Sequence, residues 1–77
     1  MMTVKQAIDL IGYGERFILK GSMTGKVYHK SYYHTKEHLE QYLDREVTDS
    51  PFFTTLHTSN TASCSYTYPV IGIWIVG

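Results

Sequence analysis

Seven consecutive residues, Val70-Ile71-Gly72-Ile73-Trp74-Ile75-Val76, carry no polar side chain and constrain the fold more than any other stretch of this chain. Five of the seven are β-branched, and the run lacks the alternation of a strand with one wet face. It reads as a strand covered on both sides, and therefore as a central one with Trp74 in the core. Gly72 in its middle implies close packing against a helix or another backbone. Seven residues fall far short of the roughly 20 that a membrane-spanning helix needs, so no membrane association is expected.

The remaining residues must supply that cover. Thr3 and Gln6 have the spacing of a capping box, and Val4, Ala7, Ile8 and Ile11 then share one helical face, which predicts a helix over 4–11. Gly12 and Gly14 end it. Phe17 and Leu19 alternate with Arg16, Ile18 and Lys20, a glycine-bounded turn follows at 21–25, and 26–33 is rich in aromatics. This is a β-hairpin, with Gly25 placed for a positive φ. Thr35 can cap a second helix from Lys36 to about Asp44, with Leu39, Tyr42 and Leu43 inward. Glu46-Val47-Thr48 suggests a short third strand ended by Asp49-Ser50-Pro51. The Ser/Thr/Asn-rich stretch 54–67 fits either a loop or the polar arms of a second hairpin turning near Ser59-Asn60. The expected architecture is α+β: one domain over 1–77, with two short helices on one face of an antiparallel or mixed sheet of 4–5 strands.

A chain of 77 residues buries only roughly 60–65% of its unfolded surface, and a homodimer is one way to add burial. Cys64 is the sole cysteine and cannot pair within the chain, a usage that fits a reducing cytoplasm. The start, Met1-Met2-Thr3-Val4-Lys5-Gln6, turns polar too early for a signal peptide. Seven basic and seven acidic residues cancel, which argues against wholesale electrostatic binding to DNA and equally against a polyanionic DNA mimic. The distribution is uneven, however. Arg16, Lys20, Lys26, Lys30 and Lys36 precede a block containing Glu37, Glu40, Asp44, Glu46 and Asp49.

Two constellations stand out. His34 and His38 are four residues apart, the spacing of a helical zinc pair, and His57 and Cys64 are the further ligands that a folded-back 50–68 segment would bring to them. His29 lies in the same histidine-rich stretch, and ordinary hairpin or surface histidines are the commoner explanation of such a pattern. Lys26, Tyr28, Lys30, Tyr32 and Tyr33 interleave cations with aromatics, which suits a protein contact or the stacking of bases beside phosphates. Enzyme signatures are lacking: there is no glycine-rich phosphate loop and no nucleophile elbow, and His57 with Cys64 has no fixed catalytic geometry.

The segments Thr3-Val4-Lys5-Gln6-Ala7-Ile8-Asp9-Leu10-Ile11, Ser22-Met23-Thr24-Gly25-Lys26-Val27 and Leu39-Glu40-Gln41-Tyr42-Leu43-Asp44-Arg45-Glu46-Val47 resemble a group of small, mostly uncharacterised proteins of phages, prophages and low-GC Gram-positive bacteria. That resemblance implies a cytoplasmic, non-enzymatic protein that binds and blocks a host macromolecule, in the manner of anti-CRISPR inhibitors. It assigns no role to any single residue. A nucleic-acid-contacting module built on the basic, Tyr-rich hairpin over 16–36 is the alternative.

Overall fold

The computed structural model describes residues 2–12 and 14–77. Along the chain they form α1 (Val4–Ile11), β1 (Phe17–Gly21), β2 (Val27–Lys30), α2 (Lys36–Glu40), β3 (Val47–Asn60) and β4 (Ser65–Ile75). The four strands make one mixed sheet in the order β2-β1-β4-β3. β1 runs antiparallel to β2 and parallel to β4, with Phe17 opposite Ile71 and Leu19 opposite Ile73. The expected α+β architecture is present, and β4 is interior to the sheet.

Both helices lie on one face because their apolar stripes meet a single row of strand residues. Val4, Ala7 and Ile8 of α1 and Leu39 of α2 share a buried cluster with Phe17, Leu19, Val47, Ile73 and Ile75. The Thr3–Gln6 capping box closes in both directions, and Gly12 ends α1 at φ +92°. Gly25 takes φ +71° in the β1–β2 turn. The start of α1 is tied to the entrance of β3 by Thr3 opposite Glu46 and by the Val4 N–H donating to the Arg45 carbonyl at 2.8 Å.

Three expected element boundaries need correction, as does the expectation of Trp74 in the core. Helix α2 stops at Glu40 instead of running to Asp44. The Tyr42 and Arg45 N–H groups donate to carbonyls three residues back, which tightens the chain into turns. The Lys5 N–H meanwhile holds the Leu43 carbonyl at 3.1 Å. The third strand does not end at Pro51 but runs 14 residues. β3 has four residues between Val47 and Phe52 where β4 has one between Ile75 and Ile73, and this irregularity on an edge strand accommodates the proline. The 54–67 stretch is therefore the second hairpin, turning at 61–64 rather than at Ser59-Asn60. At that turn Thr61 Oγ1 accepts from the Cys64 N–H at 3.1 Å.

Trp74 is half-buried and points away from the helices, so the helix layer covers only one side of β4. The paired strands from Leu56 to Asn60 and from Ser65 to Pro69 extend past the end of β1 as a two-stranded arm. The molecule measures 45 × 24 × 21 Å in consequence. Among the described residues no helix is long and apolar enough to cross a membrane.

Candidate functional site

The sheet face opposite the helices is built by alternation. Ile18 and Lys20 of β1 pair with Gly72 and Trp74 of β4, and Phe53, Thr55 and His57 of β3 pair with Gly72, Val70 and Tyr68. Gly72 leaves room for the Phe53 ring, whose atoms are the three nearest to where a Cβ would stand. Phe53 stacks on Trp74 with centroids 4.3 Å apart and planes at 26°.

Further along the same face, Tyr32, Tyr33, His57 and Tyr68 form a second aromatic group. His57 lies 4.6 Å from Tyr32, 5.7 Å from Tyr33 and 5.3 Å from Tyr68 between centroids. The Tyr33 hydroxyl hydrogen-bonds His57 Nε2 at 3.3 Å. Burial, and secondarily the neighbouring Tyr33 and Tyr68, push the Tyr32 phenol above its usual range and keep it a neutral donor. Cations rim the group: the Arg16 guanidinium sits 4.3 Å from the Tyr68 centroid, and Lys30 Nζ sits 5.6 Å from that of Tyr33. Among the described residues, the in-register positions of this face from 53 to 59 and from 66 to 74 include no acid.

A second constellation lies on the helix side, at the β2 edge. His29 faces Leu19 across the β1–β2 ladder, which turns its imidazole inward; it is 1% exposed and stacks on Phe17. The turn after β2 carries His34 back over this strand end, because the Tyr33 and His34 N–H groups both donate to the Lys30 carbonyl. Thr35 then caps α2 by accepting from the His38 N–H, and the helix presents His38 to His29. The His29 and His38 Nδ1 atoms are 2.9 Å apart, and the His34 and His38 rings stack at 4.3 Å. One ring nitrogen from each of the three histidines lies within 4.8 Å of the other two. Beside them is a cavity of about 110 Å³ lined by Phe17, Ser31, Thr35 and Leu39 among others. Burial of His29, reinforced by His38 and His34 as neighbouring potential cations, lowers its pKa to about 4.

The residues singled out in the sequence are thus divided between places. Tyr32, Tyr33 and Lys30 meet on the open face, together with His57. Tyr28 does not join them: it packs against the helix-side core beside Tyr42, with Lys26 and Arg45 near its ring. His34 and His38 come together, but with His29 as third member. His57 is on the opposite face, and Cys64 is exposed in the distal turn. Phe53, Tyr68 and Trp74 are not legible as surface groups from the sequence pattern, although the two-residue period of a strand sets Phe53 with His57, and Tyr68 with Trp74, on one face. No family model matches this chain, and no curated protein or solved structure does so either.

Proposed function

We propose that this chain is a non-enzymatic binding protein whose open sheet face takes single-stranded nucleic acid. The observation that carries the reading is an aromatic face with cations stacked on its rings and no acid in register, above all Arg16 over Tyr68. Single-stranded bases stack on such rings for about 1–3 kcal/mol each, irrespective of sequence, while the backbone phosphates meet the cations. Tyr33 and Tyr66 are 66% and 51% exposed and offer ring surface directly. Lys20 and Lys30 share the face of Ile18 and stand beside the path such a strand would take. Because the chain is neutral overall, few phosphates are neutralised. Three contacts would give a log–log salt slope of about −2 for single strands.

Fluorescence anisotropy with labelled 12-nucleotide oligo-dT and oligo-U, from low to high salt, tests the reading. Binding should fall with salt and weaken at least tenfold in Arg16→Glu and in Lys30→Glu. Lys26→Glu, beside Tyr28 on the other side of the sheet, should bind as wild type. A folded protein that ignores both oligonucleotides at low salt would overturn the reading. The face would then belong to a protein target, the class of host macromolecule that the resemblance to phage inhibitors implies.

A further inference from the structure

Independently of the sheet face, we propose that His29, His34 and His38 form a three-histidine site for a divalent transition metal, with zinc as the ion. Three elements deliver one imidazole each to the same point: β2, the turn after it, and α2. Their nitrogens converge within 4.8 Å, against roughly 3.3 Å between ligand nitrogens on a tetrahedral ion with bonds of about 2.0–2.1 Å, so ligation requires the rings to close in by up to about 1.5 Å.

The polar partners of the rings suit ligation. His29 and His38 approach Nδ1 to Nδ1 at 2.9 Å, so in the metal-free protein one proton must lie between two lone pairs. Ligand nitrogens around a tetrahedral zinc stand roughly 3.3 Å apart, from bond lengths of about 2.05 Å. An ion can therefore replace that proton with a shift of a few tenths of an ångström. His34 Nδ1 stands 3.1 Å from the Lys30 N–H, which donates to it in one tautomer, and 3.2 Å from the Lys30 carbonyl oxygen, to which it donates in the other. In the tautomer that donates there, Nε2 carries the free lone pair, the usual way a backbone carbonyl orients a metal-binding imidazole. All donors are imidazole nitrogens, a set that selects zinc, copper, nickel or cobalt over calcium and magnesium. Three protein ligands leave a fourth position for water or for an anionic group of a partner. The ion would pin α2, only five residues long, to the sheet edge.

Tag-free protein titrated with Co²⁺ reads the site by the visible absorption of four-coordinate cobalt, and Zn²⁺ should displace it while Ca²⁺ and Mg²⁺ should not. One equivalent is expected, together with a rise in Tm on adding Zn²⁺. His34 is exposed and His38 half-buried, so His34→Gln and His38→Gln should fold, and each should weaken Co²⁺ binding at least tenfold. His57→Gln and Cys64→Ser should bind as wild type. Uptake that survives both His34→Gln and His38→Gln would overturn the proposal. So would uptake abolished by Cys64→Ser, or natively folded protein that takes up no cobalt at micromolar concentrations.

Discussion

Replacing Gly72 by alanine tests how the open face is packed. A Cβ at this position would enter the Phe53 ring, and no other residue supplies any of its three nearest atoms. The ring is half-buried on the open face, so it can swing outward rather than force the backbone apart. Leaving Trp74 forfeits a stack worth about 0.5–1.5 kcal/mol. Lifting a half-buried phenylalanine into water loses roughly half of the 1.5–3 kcal/mol that full burial provides. Against this, removing a strand glycine restricts the unfolded chain and returns about 0.5–1 kcal/mol. The net cost of Gly72→Ala is therefore about 1–2 kcal/mol, read by urea unfolding. Trp74, the sole tryptophan, reports the loss of its partner through its fluorescence. In a Phe53→Ala background the same substitution no longer meets that ring, so its cost should vanish or turn into a small gain, a coupling of about 1–2 kcal/mol. Additive costs would refute the assignment of Gly72 as the seat of the Phe53 ring.

Trp74→Ala should cost only about 1–2 kcal/mol, because the indole is half-buried, whereas Leu19→Ala, at a fully buried position, should cost about 2–5 kcal/mol. Equal losses in chemical denaturation would contradict the one-sided core. Thr3→Ala opens the α1 capping box and should lower stability by about 1 kcal/mol, with Gln6→Ala partly redundant in the double variant. For chelator-treated protein, stability should depend on pH through His29. Its folded-state pKa of about 4 lies below the ordinary 6.5, so the unfolded chain takes up the proton first. That contribution is complete above about pH 6.5 and is lost as pH falls toward 4, up to about 3 kcal/mol at 1.4 kcal/mol per pH unit. His29→Phe should flatten the Tm profile across this window, and an unchanged slope would speak against a neutral, buried imidazole.

What could be read from the sequence was whatever rests on local chemistry. The Thr3–Gln6 box, the Gly12 stop, the Gly25 turn and the uninterrupted apolar run of β4 each have a short-range cause, and each is where it was expected. The 54–67 stretch gave a weaker signal because threonine and serine suit an exposed strand and a loop about equally. Cross-strand partners such as Thr58 with Thr67, 3.0 Å apart, decide for the strand only once the two arms meet. The helical i, i+4 spacing drew attention to His34 and His38 and away from His29. Yet alternation along 27–30 sets His29 opposite Leu19, a buried position where an unpaired imidazole would be costly. His57 and Cys64 entered as ligands only through a supposed fold-back of the 50–68 segment, and that segment instead extends outward as the arm.

The parallel pairing of β1 with β4 also governs how the chain reaches this structure. Each hairpin can close locally, but a two-stranded ribbon is marginal in water by itself. Joining them aligns Phe17 with Ile71, partners 54 positions apart (71 − 17), so the ordering of a long intervening segment precedes the contacts that reward it. The helix-side core is assembled from both hairpins and both helices, and no part of it is complete before that step. Folding should accordingly be slow for a chain of this size and cooperative, with the β1–β4 seam as the barrier. Changes at Leu19 or Ile73 would then act on the refolding rate, while changes in the distal arm would act on unfolding alone.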